Sequence, residues 1–179
     1  MVALVPTEAH GDERGALLNF IEAQRAAIRR AAHGLTEEQA ASRPSASELS
    51  LSGLIKHVAE VELNWLRLAQ QRPNERQRTQ ETWGDAFRLT EEETIPAILD
   101  FWAGVAKETE EFARSVPSLD DTFPLPRAPW FPEGGRVSVR WMLLHLVQEG
   151  ARHAGHADIV RESLDGRTSF ELIAAEQGR

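Results

Sequence analysis

The sequence predicts an all-α protein built as a bundle of four long helices. Three observations carry this: apolar residues recur near the helical period in four separated stretches, capping residues stand at the starts of these stretches, and no segment shows the alternation of a strand. No fixed-period repeat occurs, and 179 residues suit one core rather than two. With 41% apolar and 27% charged residues, burial alone can drive folding.

The first helix runs from Glu13 to about Ala32, with Leu17, Leu18, Ile21 and Ile28 recurring near the helical period while Glu22, Arg25 and Arg29 stay polar; His33-Gly34 ends it. Thr36-Glu-Glu-Gln39 has the form of a capping box and opens a short helix that Arg43-Pro44 stops. Ser50 or Ser52 caps the second long helix, which carries Leu54, His57, Val58, Val61, Trp65 and Leu68 toward the core as far as Pro73. The polar stretch from Asn74 to Leu89, anchored by Trp83 and Phe87, reads as a loosely packed connection. Thr90-Glu-Glu-Glu93 is the next capping box and is expected to open the third long helix, with Ile95, Ile98, Leu99, Trp102, Val105 and Phe112 inward and Pro96 tolerated near its start. Val116 to Val137 holds prolines 117, 124, 126, 129 and 132 together with Gly134-Gly135, so an irregular, functional loop is expected, with the glycine pair as a candidate hinge. Ser138 caps the last helix, which passes through Trp141, Leu143, Leu146 and Ile159 to Leu164, and Gly166 supplies a left-handed stop.

Composition removes whole classes of function. The chain has no cysteine, so it has no disulfide, no thiolate zinc ligand, no iron–sulfur cluster and no thiol nucleophile of its own. A formal charge of −8 opposes the phosphate neutralisation on which nucleic-acid affinity rests. The first twelve residues lack the pattern of a secretory signal, and no stretch approaches the ~20 apolar residues of a bilayer span. No nucleic-acid or membrane partner and a cytoplasmic location are therefore expected.

The chemistry-bearing signal is the run His145-Leu-Val-Gln-Glu149-Gly-Ala-Arg-His153-Ala-Gly-His156 in the last helix. At about 100° per residue these three histidines and the glutamate fall within roughly an 80° arc and project together. His57 is a lone imidazole on an apolar helix face. Taken singly, His57 reads first as a core histidine bonded to backbone, and Glu149 reads equally as a partner of Arg152 or His153 on a solvated face. Taken together, a second-helix histidine opposite a Glu-x3-His pair supplies three ligands and leaves a coordination position open, as chemistry on a metal requires. Imidazole and carboxylate suit Zn, Ni, Fe or Mn. Gly150 and Gly155 beside them indicate either a close approach by a ligand or backbone, or tight helix packing.

Two segments, Leu51-Ser-Gly-Leu-Ile-Lys-His57-Val-Ala-Glu-Val-Glu62 and Val139-Arg-Trp-Met-Leu-Leu-His145-Leu-Val-Gln-Glu149-Gly-Ala-Arg-His153-Ala-Gly-His156-Ala-Asp-Ile-Val-Arg-Glu162, resemble the DinB/YfiT-like superfamily, and the likeness extends from the first helix to Gly166. The resemblance implies an up-down-down-up four-helix bundle, often dimeric, over residues 13–166, with tails at 1–12 and 167–179. It also implies a divalent metal held by His57, Glu149 and His153, Glu149 standing where many members carry histidine. This ligand set resembles the mycothiol-dependent branch, which includes a maleylpyruvate isomerase and thiol S-transferases. His156 then serves in acid/base catalysis or as support beside the ligands, with ligation held in reserve, and His145, a turn too early, is a core or supporting residue. Trp130, Phe131 and Arg127 either cap the site and bind an anionic substrate or form a surface anchor.

The function expected from this resemblance is activation of a low-molecular-weight thiol of the mycothiol type for S-transfer to, or isomerisation of, a small electrophile. Two rivals stand beside it: a metal-dependent hydrolase using metal-bound water, and a non-catalytic, stress-related metal-binding protein in which the bundle forms a homodimer.

Overall fold

Asp12 opens the first helix, its carboxylate accepting the Gly15 N–H at 2.6 Å and so satisfying one of the orphan amides of the first turn. The computed structural model describes residues 12–79 and 81–178, so the expected N-terminal tail lies, apart from Asp12, outside the described residues. The helices are α1 (Glu13–Ala31), α2 (Glu37–Ala41), α3 (Leu51–Gln70), α4 (Ile95–Ser115), α5 (Val139–Asp165) and α6 (Ser169–Glu176). The capping box at Thr36 and Gln39 forms as the sequence requires, and Ser50 and Ser138 cap α3 and α5.

Individual contacts fix the helix directions. Arg140 pairs with Glu13, and Arg161 donates to the Ala31 carbonyl at 2.8 Å, so α1 and α5 run parallel. The Trp102 indole N–H donates to Glu62 at 2.9 Å and Arg67 to Glu108 at 2.7 Å, so α3 and α4 also run parallel. Trp65 meets His145 while His57 meets His153, which sets α3 antiparallel to α5. The bundle is therefore all-α and up-down-down-up. No helix among the described residues is long and apolar enough to cross a membrane.

Four sequence expectations are corrected. The motif at Thr90 closes only a local turn, in which the Glu93 carboxylate accepts the Thr90 N–H at 2.9 Å; α4 starts later, capped by Thr94, because Glu93 is also engaged by Lys56. The loop after α4 is partly regular: β1 (Thr122–Pro124) pairs antiparallel with β2 (Arg136–Ser138) around the buried Phe123, and three residues per strand are too few to show a period of two. Residues 169–176 of the C-terminal tail fold as α6, whose Leu172 and Ile173 are buried and whose Glu176 pairs with Arg30 of α1. The connection from Asn74 to Leu89 is not loosely held, since buried Lys56 and Glu60 of α3 bind it and it contains a 3-10 helix, Trp83–Phe87.

Candidate metal centre

The apolar core falls into two clusters, and on α5 it is interrupted between Leu146 and Ala154. That interval holds Glu149, Gly150 and His153. Across from it on α3 stands His57, and one ligand atom from each of His57, Glu149 and His153 lies within 4.8 Å of the others. The His153 Nε2 is 3.4 Å from a Glu149 carboxylate oxygen, and the rings of His57 and His153 meet edge to face with centroids 4.8 Å apart. Two imidazoles and a carboxylate at this separation are a donor set that one divalent cation fits.

Burial governs the electrostatics. Desolvation, aided by the neighbouring His153, pushes the His57 imidazole down to about 4. His153 is also lowered, by burial against the opposing pull of Glu149. Both rings are therefore neutral near pH 7, the form in which imidazole offers a lone pair to a metal.

His156 lies one turn beyond, its Nδ1 3.4 Å from the Nδ1 of His153 and its ring half-buried. His145 is elsewhere: it stacks on Trp141 with centroids 5.0 Å apart at 6° and meets the edge of Trp65 at 4.8 Å. Phe131 packs on Trp65, with the exposed Trp130 tilted against it, so these residues of the long loop sit toward Trp65, two turns along α3 from His57. Arg127 is exposed. Gly150 is explained by packing, since a Cβ there would lie 2.8 Å from the Gln24 Cβ of α1; a Cβ at Gly155 would meet nothing within 4 Å beyond its own stretch of helix, so packing does not account for it.

Two groups beside the site were not legible in the sequence as parts of it. Phe87 stacks on His57 with centroids 4.1 Å apart at 19°. On the far side of Glu149 lies a cavity of about 20 Å³, room for roughly one water, which it shares with Arg25, Glu62 and Trp102. There the Arg25 guanidinium grips Glu62 through Nε and Nη2, and both side chains are buried. Helical periodicity puts Arg25 within the apolar stripe of α1 and Glu62 at the edge of that of α3, and only the opposing helices reveal that they bury each other.

Residues 16–166 match the family described as mycothiol-S-transferase. A crystal structure of a conserved protein from Enterococcus faecalis is similar in fold, with a TM-score of 0.66 over 84% of this chain and 96% of that one at 14% identity. No curated protein matches the chain.

Proposed function

Because the chain belongs to the mycothiol-S-transferase family, we propose that it is a divalent-metal-dependent enzyme that activates a low-molecular-weight thiol, of the mycothiol type, for S-transfer to or isomerisation of a small electrophile. The observation that carries this reading is the convergence of His57, Glu149 and His153 within 4.8 Å. These three would hold the ion, which is Zn, Ni, Fe or Mn by the chemistry of its donors. When bound, such an ion lowers the pKa of a coordinating thiol so that it is deprotonated near neutral pH.

The residues divide the remaining work. A chain without cysteine must receive its sulfur nucleophile with the co-substrate. In S-transfer the thiol loses its proton, a carbon–sulfur bond forms at the electrophile and the leaving group departs with the electron pair. His156, half-buried beside His153, is placed to hold or pass a proton at the edge of the site. The buried Arg25–Glu62 pair braces α1 and α3 behind Glu149. Three protein ligands leave room for the thiol, which sets this reading above a purely structural metal site.

The test is metal analysis of the purified protein and of His57→Ala, Glu149→Ala and His153→Ala, with thiol-conjugate formation from mycothiol and a chromogenic electrophile followed in parallel. About one ion per chain, lost in each variant together with conjugate formation, is the expected result. A metal-loaded protein that consumes the electrophile equally without any thiol would instead favour hydrolysis. Absence of bound metal after divalent ions are supplied would remove the metal-dependent reading altogether.

A further inference from the structure

Four residues of α3, Gly53, Lys56, His57 and Glu60, fall within roughly a 100° arc of the helix and all face Arg78 or the segment 82–93 that follows it. Lys56 is fully buried and donates to the Arg88 carbonyl at 3.0 Å while pairing with Glu93. Glu60, also buried, accepts Arg78 Nε at 2.9 Å and a second bond from its Nη2. The segment is thus held at both ends by ion pairs whose α3 partners are withdrawn from water. Breaking either would strand a buried charge, so these anchors are costly to release.

Between the anchors the backbone of Phe87 lies directly on Gly53. A Cβ at position 53 would stand 2.0 Å from the Phe87 carbonyl oxygen and 2.7 Å from its carbon, and backbone cannot yield as a flexible side chain would. Glycine one turn before His57 is what lets the Phe87 ring reach the imidazole and lie nearly parallel to it, 4.1 Å away at 19°. A face stack suits a ligand. The lone pairs of imidazole lie in the ring plane, so Phe87 restrains the ring through its π face while leaving both nitrogens unobstructed.

We propose that Arg78 and segment 82–93, seated on Gly53, Lys56 and Glu60, form a clamp in which Phe87 is a positioning residue that fixes the His57 imidazole in the orientation that meets Glu149 and His153. This rests on His57 being a metal ligand. An unrestrained histidine has a broad terminal torsion, and ordering it on binding lowers affinity; the clamp meets that ordering cost during folding.

The test uses Zn²⁺ affinity by competition with a chromophoric chelator and the visible spectrum of the Co²⁺-loaded protein, on the wild type, Phe87→Leu, Phe87→Tyr and Gly53→Ala. Phe87→Leu removes the flat face and Gly53→Ala displaces the Phe87 backbone while favouring the α3 helix itself. Both are expected to weaken Zn²⁺ binding about 10-fold or more and to alter the Co²⁺ spectrum, the range typical of groups that orient metal ligands. Phe87→Tyr keeps the stack and is expected to stay within about 2-fold of the wild type. Far-UV circular dichroism of each variant before loading separates a lost clamp from a lost fold. Unchanged affinity and spectrum in folded Phe87→Leu would overturn the clamp, whereas a wild-type protein that binds no Zn²⁺ would overturn the metal centre on which it rests.

Discussion

The Nδ1 atoms of His153 and His156 face each other at 3.4 Å, and only one of them can carry the shared proton. With the proton on His153 Nδ1 and His156 as acceptor, the His153 Nε2 presents a lone pair toward Glu149 and His57. A partner that selects the ligating tautomer in this way is a recurrent feature of metal-binding histidines. His156→Ala is therefore expected to weaken metal affinity about 10-fold, within the range for such partners, without changing stoichiometry. Titration against a competing chelator checks it, and loss of the whole ion would instead make His156 a ligand.

Removing the metal should cost stability. An ion that binds only the folded chain stabilises it by about 2.7 kcal/mol at a free concentration 100 times its Kd. Excess chelator is expected to lower the thermal midpoint of the wild type by several degrees. The same chelator should leave His57→Ala unmoved, since that variant has no ion to lose.

The metal-free protein should lose stability on acidification in a window set by histidine. The folded His57 titrates near 4 against 6.5 in the open chain, because burial disfavours its charged form. Below pH 6.5 the unfolded chain takes up a proton that the folded chain refuses, so stability falls from about pH 6.5 toward 4. His145 and His153 are lowered in the same direction. The lowered carboxylates, Glu93 and Glu108, act below about 4.5, whereas burial raises Asp158, which opposes the histidine trend; the difference in denaturant midpoints between the wild type and His57→Gln from pH 5 to 6.5 therefore reads the His57 contribution, and the variant should flatten that part of the profile.

The Arg25–Glu62 pair predicts an asymmetric mutational result. Glu62 accepts from Arg25 and from the Trp102 indole, and replacing it by leucine leaves the buried guanidinium with only the half-exposed Glu22 carboxylate as a partner. A loss of about 3 to 5 kcal/mol is expected for Glu62→Leu. Combining it with Arg25→Met should recover much of that loss, as measured by urea denaturation, because the under-compensated buried charge and not the missing bond is the larger cost.

Much of the architecture was legible from local rules. Thr36, Ser50 and Ser138 cap helices where side-chain oxygens stand before apolar stripes, and Gly166 ends α5 with φ +77. The rule misled at Thr90, where only half of the box forms, Glu93 is drawn to Lys56, and the helix begins at Ile95. It was silent on β1 and β2, whose pairing joins residues twelve or more apart, and on α6, whose eight residues are held by docking against α1.

The ligand candidates on α5 share a helix, so a turn of about 3.6 residues aligns Glu149 and His153 in any context that keeps the helix intact, and the sequence alone determines that alignment. What faces them does not follow from the period. That His57 arrives opposite them depends on α3 running antiparallel to α5, and that Phe87 lies on His57 depends on a loop thirty residues away, seated on Gly53 and held by Lys56 and Glu60. In the sequence Lys56 and Glu60 are an ordinary solvated stripe. Only the tertiary structure decides that they are buried, because burying a charge is favourable solely where a distant chain segment brings the opposite one.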